Sequence, residues 1–509
     1  MSLYKNLFKQ TAIYGLATVI PRMMSFLLTP LYTSPGVLDL AEYGQVSEIF
    51  AYMIFFNVIL AYGMETAFFR FYNKEADKEK VVATTTISLF WSTLAFLVVA
   101  LSLRNQLAVW SGFDAKYVTY TIWIVILDAL VIAPFSQLRA KQRPMRYAAI
   151  KIGNVALNFA FNIFFLIFLP KLAHANPDGL FAKIYVEDFQ IGYIFVSNII
   201  ASAATLVALS GGYFRLKWQF DAGLWKQMFR YGWPILFAGI AFAINEQFDK
   251  ILLSKLLPAE IAHEEVGVYA ACYKMGLFMV LFRTAYTLGI EPFFFSHAGQ
   301  ENAKQTYATV TKYFVIFGSF ILLSVIVTAD ILKQFIIRDP SYWQAMKVVP
   351  LIILANFFLG IYTNLSVWYK LIDKTHIGAW ISLVGAAVTL ILNFLLIPFM
   401  EAQGHNGYMG SAIATIAAYG TMMAMSYFMG RKAYPIPYDM KRIGGYMGIS
   451  ILFSGVSFYF FRENYYVGAA LMLLFLYFIY HNEKDTLQKI IKRRTGKTIP
   501  VIKDEEEEL

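Results

Sequence analysis

Ionisable side chains sit inside long apolar stretches of this chain, and they are where it could do chemistry. The cations are Arg22, Lys274 and Arg283, with Arg70 at the end of a stretch. The anions are Glu48, Glu65, Asp128, Glu246, Asp249 and Glu291. A charge at the centre of a membrane helix costs about 2.5–3.5 kcal/mol, so such groups are tolerated mainly where they face a watery interior. There the cations would receive an anion, and the arginine fork suits phosphate oxygens. Arg70 has a plainer reading as the mark of a helix end. The carboxylates would hold a coupling cation, H+ or Na+, or act as gates. Glu246 and Asp249 are three residues apart and share a helix face, which makes them the best coupling pair; the alternative is that they neutralise Lys250 near a helix end. Glu65 and Glu291 suit a symmetric gate or two helix caps. For all ten, the competing reading is an ion-pair network that only holds helices together.

The elements that must position these groups are membrane helices. The chain has 509 residues, of which 58% are hydrophobic and 15% charged, where soluble domains carry roughly 25% charge. A soluble protein this apolar could not cover its surface with polar groups. Stretches of about 20 apolar residues, the length that crosses a bilayer, occur at 10–33, 44–70, 81–103, 117–138, 147–170, 190–212, 228–252, 267–292, 309–330, 344–368, 376–399, 408–429, 443–461 and 464–480. The expectation is therefore an all-α polytopic protein of fourteen spans with short connections. About 29 of the 43 Lys and Arg fall on the side that carries the N-terminus, which by the positive-inside rule makes both termini cytoplasmic. The net charge of +10 is then topological rather than a nucleic-acid footprint. The first stretch is too long for a signal peptide and is expected to be retained. The single cysteine, Cys272, reads as a small core hydrophobe. After the last stretch, Lys492, Arg493 and Arg494 suit anionic headgroups, and Asp504 with Glu505 to Glu508 suit a solvated tail.

The chain also repeats itself. Leu7 to Gly15 and Leu224 to Gly232 share Leu, Lys, Gln, Tyr and Gly at equivalent positions, at an offset of 217. Gly63-Met64-Glu65 matches Gly289-Ile290-Glu291 at an offset of 226, where Tyr43 also meets Tyr269 and Glu48 meets Lys274. Asn162 to Pro170 resembles Asn393 to Met400. This predicts two six-helix lobes, 1–217 and 218–432, related by a pseudo-two-fold along the membrane normal. Helices 13–14 follow at 433–482, then a tail at 483–509. Transporters built from such repeats place their substrate between the lobes near the midplane. All the embedded charges above except Asp128 lie on spans 1, 2, 7 and 8, the leading pairs of the two lobes. Pro21 and Pro234, inside spans 1 and 7, are either bending points or static kinks.

Here the sequence resembles a known group, the multidrug/oligosaccharidyl-lipid/polysaccharide exporter superfamily, and within it the polysaccharide-biosynthesis (O-antigen) flippases. The likeness is carried by Ile20-Pro21-Arg22 through Pro30-Leu31-Tyr32, Glu42-Tyr43-Gly44, Asn364 to Lys370, Leu392-Asn393, and Gly407-Tyr-Met-Gly410-Ser-Ala. It implies movement of an undecaprenyl-diphosphate-linked glycan from the cytoplasmic to the periplasmic leaflet of a bacterial inner membrane. An ion gradient or the membrane potential would drive it, without catalysis or a cofactor. The expected company is the lipid-linked oligosaccharide, membrane lipids, and a polysaccharide polymerase with glycosyltransferases, around a monomer that binds no nucleic acid. A lipid II flippase suits the same helix count. A multidrug antiporter of the superfamily would want twelve helices and an anionic cleft. An ATP-driven exporter needs a G-x-x-x-x-G-K-[ST] loop, which the sequence lacks. A glycosyltransferase or polymerase would want an outer loop richer in acidic or Arg residues than Asp39 and Glu42 make it.

Overall fold

The computed structural model describes residues 2–297 and 300–494; the side chains of 2–12, 14, 291, 292, 295, 296 and 485–494 lie outside the described residues. The tail charges from Lys492 onward therefore fall outside, as does the Glu291 side chain. Among the described residues the regular elements are all helical. The long ones are α1 Ser2–Tyr32, α2 Leu40–Lys74, α3 Lys78–Ser102, α4 Ala115–Ala140, α5 Pro144–Ala175, α6 Gln190–Phe214, α7 Ala222–Leu256, α8 Ala259–Ile290, α9 Ala303–Val327, α10 Pro340–Leu371, α11 His376–Ala402, α12 Tyr408–Ala433, α13 Met440–Phe460 and α14 Tyr465–Arg494.

Twelve of these are long and apolar enough to cross a membrane. The other two, α1 and α7, were expected to span as well. Both have the length; α7 carries more polar sequence, with Glu246, Asp249 and Lys250, and part of α1 lies outside the described side chains. The protein is thus a multi-pass membrane protein whose central charges lie on α1, α7 and α8. Outward faces are apolar, as lipid requires: Val207, Phe317, Leu395 and Tyr466 are each at least 59% exposed.

Local sequence sets the helix ends and breaks. Asp39 caps α2: its Oδ1 accepts from the Glu42 amide at 2.7 Å, and Glu42 Oε2 accepts from the Asp39 amide at 3.0 Å. This capping box accounts for both acidic residues at the α1–α2 connection. Tyr62 and Gly63 adopt left-handed backbone with φ of 31° and 74° and break α2 into two segments, Leu40–Ala61 and Met64–Lys74. A π segment interrupts α5 at Phe164–Phe168, and a 3-10 turn interrupts α8 at Lys274–Gly276; such irregularities mark places where a helix can flex.

Within the first six helices α1 packs on α5, and α6 on both α4 and α5. Within the next six, α7 packs on α11, and α12 on both α10 and α11. The two sets meet where α2 lies against α7 and α8, and where α1 touches α8. α13 and α14 both pack on α9.

Candidate functional site

The site is built where α1, α7 and α8 converge. Arg22 on α1 donates from Nη1 to Thr284 Oγ1 on α8 at 2.7 Å, so it reaches across from one half of the chain to the other. One helical position earlier than Thr284, Arg283 places Nη2 3.6 Å from Glu246 Oε1 on α7. Both partners of that pair are largely buried, at 13% and 19% side-chain exposure. Arg22 also lies within electrostatic reach of Arg283 and Glu246. Two guanidinium groups therefore gather near one carboxylate; only Arg283 is paired with it, and Glu246 Oε1 accepts no hydrogen bond. The result is a net positive locus with donor capacity left over, which is the requirement for holding a phosphate.

Lys274 is separated from this pair. Nine residues from Arg283, it lies about 13 Å along the helix axis. Its side chain is exposed, at the 3-10 turn that interrupts α8. Its electrostatic neighbour is Lys250, which is itself neutralised: Lys250 Nζ donates to Asp249 Oδ1 at 3.0 Å, and Tyr269 OH donates to Asp249 Oδ2 at 2.7 Å. Glu246 and Asp249 thus divide their work, one facing Arg283 and the other closed by its own neighbour.

The other expected residues lie outside this locus. Glu48 is fully buried on α2; Ser254 Oγ on α7 donates to its Oε1 at 2.5 Å, Lys255 Nζ is 3.9 Å away, and His263 Nδ1 on α8 is 3.6 Å from its Oε2. It joins α2 to α7 and α8. Glu65 accepts from Arg139 on α4 at 2.6 Å in an exposed pair. Arg70 stacks on the Tyr231 ring of α7 at 4.3 Å. Asp128 accepts from Ser202 Oγ on α6 at 2.8 Å and faces Lys151 of α5. The backbone at Glu291 is helical, and its side chain lies outside the described residues.

Two backbone crossings bracket the locus. At Gly44 on α2 an added Cβ would come within 1.9 Å of the His263 carbonyl oxygen, and at Gly267 on α8 within 2.0 Å of that of Leu40. Toward the other end of α2, a Cβ on Gly63 would come within 2.1 Å of the Gly232 carbonyl oxygen on α7.

Sequence reasoning missed the polar residues that fix α7. Thr389 Oγ1 on α11 donates to Asn245 Oδ1 at 2.8 Å, and Tyr419 OH on α12 donates to the Asn245 carbonyl at 3.0 Å. The repeated Asn162 and Asn393 were found as sequence matches, and each is fully buried and ties two helices. Asn162 accepts from Tyr32 at 2.9 Å and Asn393 from Ser411 at 2.6 Å.

The fold is shared with known transporters. A structure titled "Lipid II flippase MurJ, inward closed conformation" superposes with a TM-score of 0.70 at 13% identity, covering 92% of this chain and 99% of that one. An inward-facing multidrug resistance MATE family transporter of the MOP superfamily gives 0.61 at 12%, covering 86% and 96%. The Vibrio cholerae MATE transporter VcmN in its bent form gives 0.54 at 16%, covering 87% and 98%. No curated protein matches in sequence. Residues 7–282, more than half of the chain and the part that contains Arg22 and Glu246, match the family described as polysaccharide biosynthesis protein. The chain belongs to the polysaccharide biosynthesis protein family.

Proposed function

We propose that this protein is a flippase rather than an enzyme. Its cargo would be an undecaprenyl-diphosphate-linked oligosaccharide, an O-antigen or other surface-polysaccharide repeat unit, carried from the cytoplasmic to the periplasmic leaflet. The observation that carries this reading is the meeting of two guanidinium groups at one carboxylate between the two halves of the chain: Arg283 faces Glu246, and Arg22 reaches across to the adjacent Thr284. An anionic headgroup supplies the missing negative charge. Each hydroxyl taken unpaired into hydrocarbon costs about 4–8 kcal/mol, so a glycan needs such a polar path, while its lipid tail can stay in the bilayer.

The halves 1–217 and 218–432 would rock about this locus, with 433–482 appended. The bias of Lys and Arg supports cytoplasmic termini in a bacterial inner membrane. An anionic head gains about 2.3 kcal/mol per charge per 100 mV on moving outward from a negative interior. H+ or Na+ coupling would act through Glu246, the carboxylate whose partner the cargo competes for. Polymerase and glycosyltransferases would be its neighbours.

Lipid II as cargo is the second reading, favoured by the extent of the superposition on a lipid II flippase. Complementation separates the two: strains lacking a surface-polysaccharide flippase, or the lipid II flippase, receive this gene and its Arg22→Gln form. Rescue of glycan export by the parent and loss of rescue by Arg22→Gln at equal expression support the proposal. Equal rescue by both removes Arg22 from it.

A further inference from the structure

A second cationic site lies at the end of the bundle where α2, α4 and α6 finish and α3, α5 and α7 begin. A cavity of about 540 Å³ opens there, lined by seven Lys or Arg side chains against two carboxylates, Asp77 and Glu79. The carboxylates do not neutralise it. Lys217 Nζ pairs with Glu79 at 2.9 Å, and Asp77 is occupied in capping α3 through the Lys80 amide at 3.1 Å. Lys80 itself turns to Asp221. Lys141, Arg143, Arg146 and Arg215 remain on the wall with no acidic partner among the described residues. Arg146 is steered by donating to the Ala208 carbonyl at 3.3 Å. Lys78 lies over the Tyr72 ring at 5.3 Å, which leaves its ammonium free to take an oxygen ligand.

These cations come from three separate parts of the chain, the α2–α3 turn, the α4–α5 turn and the segment after α6, and they converge on one concavity. A positive-inside bias alone would scatter them over the surface. The volume falls within the range of small-ligand sites, and several guanidinium forks on one wall match phosphate oxygens.

We propose that this cavity binds a phosphate or diphosphate group, separately from the locus at Arg22 and Arg283. The inference rests on the reading of this end as cytoplasmic. The source is either the headgroup of a lipid, reached sideways because the walls are helix ends at the membrane surface, or a soluble phosphate. In the first case the cavity concentrates phosphate-bearing lipid at the mouth of the transport path.

The test uses the purified full chain. Binding of inorganic pyrophosphate is measured by calorimetry. Retention of phosphatidylglycerol is measured by native mass spectrometry after reconstitution in phosphatidylcholine vesicles with and without phosphatidylglycerol. Arg143→Gln/Arg215→Gln removes two forks, and Arg143→Lys/Arg215→Lys keeps the charge as a control for folding. The expected result is a loss of about tenfold or more in the Gln pair, since charged hydrogen bonds are the strong ones, and a smaller loss in the Lys pair. Loss of both ligands identifies phosphate as such, and loss of the lipid alone identifies a headgroup site. Undiminished binding of both by the Gln pair overturns the proposal, as does failure of the parent to bind either. Arg22→Gln should leave this binding intact, so the proposed transport role can fail without it.

Discussion

Gly44 and Gly267 lie against each other where α2 crosses α8, each with its neighbour's backbone occupying the space a Cβ would need. The crossing closes one end of the interface between the first six helices and the next six. Gly44→Ala or Gly267→Ala must push the helices apart, at a cost to the closed form of about 1–3 kcal/mol. The expected outcome is a population shift of about tenfold or more toward a conformation open at this end. Reactivity of a cysteine introduced at Ser254, measured with a membrane-impermeant maleimide, should rise in both alanine variants. Unchanged labelling would show that this crossing is not a latch.

Arg283 and Glu246 give a test of pairing against cargo binding. Each is less than one-fifth exposed, so removing either partner strands a buried charge, at about 3–5 kcal/mol. Arg283→Gln and Glu246→Gln should each lower the melting temperature of the detergent-purified protein. Arg283→Met/Glu246→Leu should recover most of the stability and still fail to export glycan. Full export by the double variant would make the pair purely structural.

Asp330 offers a pH-dependent prediction outside the membrane spans. Burial works against its carboxylate, but hydrogen bonds from Arg462 at 2.9 Å and Lys333 at 2.5 Å hold its pKa below the ordinary value. A depressed pKa stabilises the folded state fully above the unfolded value, about 3.9. That contribution fades as pH falls through the lower folded value. Melting temperatures of the parent and Asp330→Asn should therefore differ at neutral pH and converge on acidification below about pH 4. A gap that stays constant to the lowest pH would contradict this.

Glu483 should be the most damaging single loss near the C-terminus. Its side chain is 2% exposed and accepts from Lys312 of α9 at 2.7 Å, and from Arg442 and Tyr446 of α13 at 3.3 and 3.1 Å. Glu483→Ala leaves Lys312 buried without its counter-charge, at about 3–5 kcal/mol. Limited proteolysis should then release α14 at lower temperature than in the parent, and Glu483→Gln should fall between the two.

The sequence showed where charges enter the membrane, because an ionisable group in an apolar run is visible without a fold. It marked Arg22, Arg283 and Glu246, which the structure brings together, and Asp249 with its neighbour Lys250. It also placed Glu48 and Asp128 in the interior, but not their partners: Ser254 is 206 residues from Glu48, and Ser202 is 74 from Asp128. The shared helix face of Glu246 and Asp249 was a sound inference from spacing, yet Tyr269 draws Asp249 away, and only packing decides that. Lys274 aligned with Arg283 by residue type but stands more than two turns away from it. Asn245 gave no signal, since a lone amide in an apolar run looks the same whether it bridges three helices or none. The short side chains of Gly44 and Gly267 were equally silent, because close approach is a property of two helices rather than of either sequence.

The left-handed joint at Tyr62 and Gly63 makes α2 two levers on one pivot. The Leu40–Ala61 arm grips α8 through Gly44, and the joint itself, at Gly63, abuts α7 at Gly232. Because the rod is already jointed, one clasp can release without prying the other loose. The proposed alternating access would use two such contacts in turn, and here they belong to the same helix.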